Sequence, residues 1–293
     1  MKAFEKMHPV IPMIYFSAMI FITMFTVNPV LLAVSFFGAV SFCGMLVGAR
    51  KLASSLAYSV PVLLLISLTN PIFSHNGETI LFFMNDNPVT LEAVCYGFAV
   101  GVMIMSVFYW FKCFNAVMSS DKFIYLFGRV IPKLALLLSM TLGFIPKLKR
   151  RYKEIDSAQK ALGIYTSKSF VDRLRSKMRV MSILVTWSLE SSVETGDSMR
   201  ARGYGEARRT TFHLFRFDTR SAVIMAAVLS LAAVCTAGRI YGYGYMEFYP
   251  RIYALDTDAG GAAMLAAFAV VMFMGAILEM KEAAVWRSCG LTE

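Results

Sequence analysis

Arg200-Ala201-Arg202-Gly203-Tyr204-Gly205 closes a helix that the sequence pattern carries back to about Ser169, through Met178, Trp187, Glu190, Glu194 and Asp197. Two glycines in three residues stop it, because glycine accepts the left-handed backbone of a helix end. The helix lies in a basic block between two sets of long apolar runs. Charge gathered on one internal helix pair, with apolar residues in membrane-length runs, predicts an all-α fold. The fold class is a polytopic membrane helix bundle of about six spans carrying long cytosolic helices.

Composition agrees with that reading. The chain is 57% hydrophobic and only 16% charged over 293 residues, where a soluble domain carries about 25% charged residues. Between Lys147 and Arg220 there are 17 Lys or Arg against 8 Asp or Glu, so this segment holds +9 of the chain's net +10. Such a block marks a cytosolic face near anionic lipid. No nucleic-acid-binding motif accompanies it, so nucleic acid is not an expected partner. The five cysteines, Cys43, Cys95, Cys113, Cys235 and Cys289, form no C-x-x-C pair, and His8, His75 and His213 are far apart. No disulfide framework, metal site or cofactor is expected. The N-terminus lacks the pattern of a cleaved signal peptide.

Working outward, the expected spans are Val10 to Val27, Val30 to Ala49, Leu52 to Asn70, Ala93 to Phe111, Ser221 to Gly238 and Ala259 to Leu278. Asn28-Pro29 breaks the first from the second, and Pro61 should kink the third. Arg50-Lys51 and the basic block face the cytosol, which puts both termini inside and the chain in the cell membrane. The acidic stretch Pro71 to Glu92, with Glu78 and Asp86, then falls outside, as does the aromatic loop Tyr241 to Asp258. The chain divides into residues 1–112 (four spans), 113–220 (cytosolic helices) and 221–293 (two spans).

Within the cytosolic region a short helix from Ser119-Ser120-Asp121 to Gly128 is expected, then one from Pro132 to Gly163. The second is apolar from Leu134 to Pro146, too short a run to span, and cationic from Lys147 onward. That apolar half is read as lying against the cytosolic face or packed in the bundle. The third helix opens at Ser169, with Asp172 at approximate capping-box spacing. Its end carries Glu190, Glu194, Asp197 and Ala201 on one face. Both long helices end alike, in Ala161-Leu162-Gly163 and Ala201-Arg202-Gly203.

At these residues the chain resembles the transmembrane T component of energy-coupling factor transporters, the vitamin and metal-ion ABC importers. The matching motifs are Phe144-Ile145-Pro146, then Ala158-Gln159-Lys160-Ala161-Leu162-Gly163, then Met199-Arg200-Ala201-Arg202-Gly203-Tyr204-Gly205, with Arg209-Thr210 beyond. Together they cover about Ser119 to Thr210. The resemblance implies a non-catalytic coupling subunit. Two cytosolic ABC ATPases would bind the helix ends at Ala161, Leu162, Gly163 and at Ala201, Arg202, Gly203. Their ATP-driven motion would pass to a substrate-binding membrane S component for vitamin or metal-ion uptake. Leu162 departs from the family's arginine, so the anchoring charge is carried over only at Arg202.

Some residues have two readings. Glu190, Glu194 and Asp197 either make coupling salt bridges or form a wet face paired with Arg173 to Arg179 or Arg200. The apolar stretches Leu134 to Phe144 and Val180 to Leu189 either dock the S component or are simply buried at the membrane. There is no G-x-x-x-x-G-K-[ST] phosphate loop and no nucleophile–base set. The competing class is a membrane enzyme acting on lipid-linked phosphorylated substrates, for which the acidic trio is the only cluster available.

Overall fold

The computed structural model describes residues 4, 7–74, 77–84, 87–128, 130–163, 170–205, 215, 217–244, 246, 248 and 259–288. Several residues singled out above lie outside these, among them Ser169, Arg209-Thr210 and most of the Tyr241 to Asp258 loop. The chain divides into two compact units, residues 1–123 with 215–293, and residues 124–214.

The fold is all-α. The described helices are α1 (Val10–Met24), α2 (Pro29–Val47), α3 (Ala49–Phe73), α4 (Leu91–Val117), α5 (Ser120–Gly128), α6 (Pro132–Ala161), α7 (Phe170–Ala201), α8 (Thr219–Ile240) and α9 (Ala259–Ser288). Five of them, α2, α3, α4, α8 and the Ala259–Glu282 part of α9, are long and apolar enough to cross a membrane. The first expected span is shorter than the sequence indicates. α1 has 15 residues, about 22 Å at 1.5 Å per residue, against about 30 Å of hydrocarbon. It ends at Met24 because Phe25, Thr26 and Val27 leave the helix before Asn28 caps the next one.

Local chemistry explains the helix starts. The Asn28 side-chain oxygen accepts from the Val30 N–H at 3.0 Å, with Pro29 in the first turn of α2. Thr90 caps α4 and Asp218 caps α8. The helical bundle's core is aromatic: Tyr15, Phe16, Phe42 and Trp110 are fully buried and mutually in ring contact. Buried polar groups are paired inside it. The Thr23 and Ser35 hydroxyls lie 2.8 Å apart, and Trp110 Nε1 donates to Ser35 Oγ at 3.1 Å. The Tyr15 hydroxyl donates to Val271 O at 3.1 Å, tying α1 to α9.

α3 and α4 meet through small residues. Gly97 and Gly101, one helical turn apart, face the α3 backbone: an added Cβ at Gly97 would lie 2.5 Å from Ser67 O, and one at Gly101 would lie 3.4 Å from Leu63 O. Pro71 lacks the N–H that would bond Ser67 O four residues back, so this carbonyl is left for the approach of α4. Cα–H···O contacts of this kind recur where membrane helices pack closely. The sequence reading does not single out this glycine pair.

A hairpin of β1 (Ile80–Met84) and β2 (Asn87–Thr90) joins α3 to α4, pairing antiparallel with Met84 opposite Asn87. The sequence reading places this acidic stretch outside and assigns it no secondary structure. The five-residue apolar run Ile80-Leu81-Phe82-Phe83-Met84, bounded by turn residues, was the available strand signal.

Candidate functional site

The 124–214 unit is built on α6 and α7, and both glycine-stopped ends fall within it. α6 begins with Pro132 in its first turn and continues unbroken through Pro146. α7 runs for 32 residues. They meet at a cation–aromatic cluster. Phe144 stacks on Trp187 with centroids 5.8 Å apart and planes 8° from parallel, and the Arg151 guanidinium lies 5.5 Å from the centre of the same indole. Arg151 Nη1 also reaches Glu154 Oε2 at 3.1 Å, while Arg150 Nε reaches Glu154 Oε1 at 3.2 Å. Hydrogen bonding to Arg151, then to Arg150, holds the Glu154 carboxyl below its ordinary value. The sequence names Phe144 and Trp187 as landmarks, but their 43-residue separation carries no sign that they touch.

The two ends share one backbone geometry. At α6, Leu162 N–H bonds Ala158 O at 3.1 Å, Gly163 N–H bonds Lys160 O at 3.1 Å, and Gly163 has φ 72°. At α7, Gly203 N–H bonds Arg200 O at 3.0 Å, Tyr204 N–H bonds Met199 O at 3.1 Å, and Gly203 has φ 75°. The α7 pattern is a Schellman stop, with Arg202 as the C-cap. A Cβ at Gly163 would meet nothing within 4 Å. Glycine is therefore needed there for the backbone angle, not for room.

The side chains at the two ends differ. Leu162 is 76% exposed and uncharged, and its neighbour Lys160 is paired with Asp156 at 2.7 Å, which raises the lysine's pKa. Arg202 is exposed, and among the described residues it makes no ion pair; Arg200 beside it approaches Asp197 at 3.7 Å. Ala161 and Ala201 are the last helical residues before each stop and keep it slim. Glu190, Glu194 and Asp197 are all exposed. Of the three, only Asp197 has an ion-pair partner among the described residues, and that partner is Arg200. The trio is thus arranged along one face but is not gathered into a pocket. Among the described residues no three His, Cys, Asp or Glu side chains come together as a metal-ligand group.

The apolar halves are open. Leu134, Leu137 and Leu138 of α6, with Ile183, Val185 and Leu189 of α7, are exposed. The family model for CbiQ, described as a cobalt transport protein, matches residues 4–214. The chain belongs to the CbiQ family. This CbiQ-family chain is 33% identical over 112 residues to the energy-coupling factor transporter transmembrane protein EcfT of Bacillus selenitireducens, and 36% identical over 104 residues to that of Listeria innocua. The Streptococcus thermophilus protein of the same name is 28% identical over 122 residues. These matches cover 38%, 34% and 41% of this chain, and 42%, 39% and 46% of the respective relatives, so the aligned stretch spans less than half the length of each. The family, the apolar helices and the all-α fold together make the chain a multi-pass membrane protein.

Proposed function

We propose that this chain is the coupling subunit of an energy-coupling factor importer, a non-catalytic part that passes ATP-driven motion to a substrate-binding membrane subunit. Both termini and the 124–214 unit face the cytosol, where the +9 segment favours the inner surface. Two ABC ATPase subunits grip the ends at Ala161-Leu162-Gly163 and Ala201-Arg202-Gly203. The exposed apolar halves of α6 and α7 receive the S component, whose cargo is a vitamin or a metal ion. The observation that carries this reading is the pair of exposed helix ends, each stopped at a glycine of positive φ. α7 alone is about 48 Å long at 1.5 Å per residue, and α6 ends before α7 begins. The Phe144–Trp187 contact lies 17 residues from Ala161 and 17 from Phe170, so in an antiparallel pair the first end sits at the start of α7 and the second at its finish. Such separation suits two receiving grooves better than one.

Arginine at a slim helix end suits a carboxylate-lined groove, because its planar fork makes two parallel bonds at once. Truncating one partner of such a desolvated pair costs about 2–5 kcal/mol, against about 0–1 kcal/mol for an exposed pair. The test is Arg202→Glu. The variant should insert and fold, lose ATPase co-purification and lose uptake, and a carboxylate→Arg change in the ATPase groove should restore part of both. Full uptake at normal expression would refute the anchor.

A further inference from the structure

β1 presents an apolar edge that no described residue covers. Ile80 and Leu81 are exposed, and Phe83 is exposed to 68%. Its partner β2 is the inner strand: Val89 and Thr90 are buried, and β2 contacts both α3 and α4. In a water-soluble protein, a bare apolar edge strand recruits another chain. Here the hairpin is mounted at the mouth of two membrane spans. α3 ends at Phe73, and β2 runs directly into α4, with Thr90 both the last strand residue and the helix cap.

The mounting is rigid. Glu92, buried in the first turn of α4, accepts from the Thr79 N–H at 3.3 Å and from the Thr79 hydroxyl. An added Cβ on Gly77 would lie 2.6 Å from Glu92 Oε2, so the chain entering β1 is pressed against this carboxylate. The hairpin is thus held at a fixed height against the end of α4.

Ile72 and Phe73 at the end of α3 and Leu91 at the start of α4, the helix ends that flank the hairpin in sequence, are exposed as well. α3 is the least buried of the five candidate spans, with 6% of its window covered by the rest of the chain. As a candidate span with so little of its surface covered within the chain, it leaves an open flank available to lipid. Residues 71–92 contain no Lys or Arg, so attraction to anionic headgroups plays no part.

We propose that β1 lays Ile80, Leu81 and Phe83 into the headgroup–acyl boundary of the bilayer, making the hairpin a lipid-resting collar at the α3–α4 end of the bundle. The boundary is favoured over the hydrocarbon interior because β1 pairs with β2 on one side only, leaving outer-edge N–H and C=O groups that the ladder does not pair. Those groups need water or headgroup partners. The boundary is favoured over a protein partner because the hairpin joins two candidate membrane spans whose exposed apolar ends, Ile72, Phe73 and Leu91, flank it.

The test places Phe83→Trp in vesicles of phosphatidylcholine and phosphatidylglycerol. One set contains lipids brominated near the headgroup end of the acyl chains, and wild-type emission from Trp110, Trp187 and Trp286 is subtracted. The added emission should be blue-shifted, should lose most of its intensity to the brominated lipid, and should be little affected by iodide. Quenching by iodide with none by brominated lipid would overturn the proposal. Leu81→Trp gives the same reading if Phe83→Trp does not accumulate. Benzoylphenylalanine at position 83, irradiated in whole cells, should yield a phospholipid adduct. An adduct with another protein, or with a second copy of the chain, would overturn the proposal in favour of a protein occupant.

Discussion

Replacing Gly97 with alanine should loosen α3 from α4. The new Cβ would lie 2.5 Å from Ser67 O and 3.0 Å from Asn70 Cβ, whereas a close C···O contact is about 3.3 Å. The helices must open by about 0.8 Å, and the obstacle is a backbone carbonyl that cannot rotate away. Overpacking of this sort costs about 1–3 kcal/mol. Alanine returns up to about 1 kcal/mol of helix propensity, leaving a net loss of about 0–2 kcal/mol. Gly101 is the matched control: its Cβ would meet Leu63 O at 3.4 Å, an ordinary contact, so Gly101→Ala should be neutral or stabilising. Gly196, with nothing within 4 Å, should gain the propensity outright. Thermal unfolding in detergent, followed by loss of the monodisperse species, should rank Gly196→Ala at or above wild type and Gly97→Ala below it, with Gly97→Leu lowest. A Gly97→Ala protein that melts no lower than Gly101→Ala would show that the carbonyl approach does not hold the pair.

The two helix ends should differ in their response. Leu162→Ala should weaken ATPase association less than Arg202→Ala in a pull-down, and equal losses would mean that charge is not what distinguishes them. Trp187→Ala removes both the stack on Phe144 and the Arg151 cation–π contact, about 1–2 kcal/mol together. It should speed proteolysis within the 124–214 unit, while Trp187→Phe should restore most of the protection. Cysteine at Tyr241 should react with an impermeant maleimide in intact cells and cysteine at Lys177 should not; the opposite pattern would invert the proposed orientation. Glu154 is held below its ordinary pKa by Arg151 and Arg150, so its contribution is fully present above the unfolded value near 4.5 and fades as pH falls through the lower folded value. Because the pair is exposed, Glu154→Gln should alter proteolytic protection only slightly at pH 7 and not at all at the acid end.

Much of this architecture was legible because it is written in runs and stops. Lys and Arg bracket the apolar runs, and Pro132, Gly163 and Gly203 lie where the helices begin and end. The glycine-stopped ends at Leu162 and Arg202 could be read from three-residue motifs because a glycine C-cap is a local device. The lost turn of α1 was not legible, since Phe25, Thr26 and Val27 are as apolar as the helix they leave. Nor were the contacts that hold elements together. Ser67 O meets Gly97 only once Pro71 has freed it, and Trp187 finds Phe144 only after two 17-residue arms have folded back. Such pairings depend on long-range geometry that periodicity does not encode.

The two units differ in how far they satisfy themselves. In the larger unit the buried hydroxyls of Thr23, Ser35 and Tyr15 and the indole N–H of Trp110 all have partners, and the large side chains interlock. In the 124–214 unit, Arg151 Nε and Gln159 Oε1 are buried and have no hydrogen bond among the described residues. Leu134, Leu137, Met178, Leu189 and Val193 stand in the open. Few residues of these two helices, of 30 and 32 residues, are buried: Ala135 and Gln159 in α6, Ser176 and Val180 in α7. Anything that binds the paired form and not the loosened one stabilises it by mass action. Under the proposed coupling role, partners at the two helix ends would therefore both hold the pair together and move it.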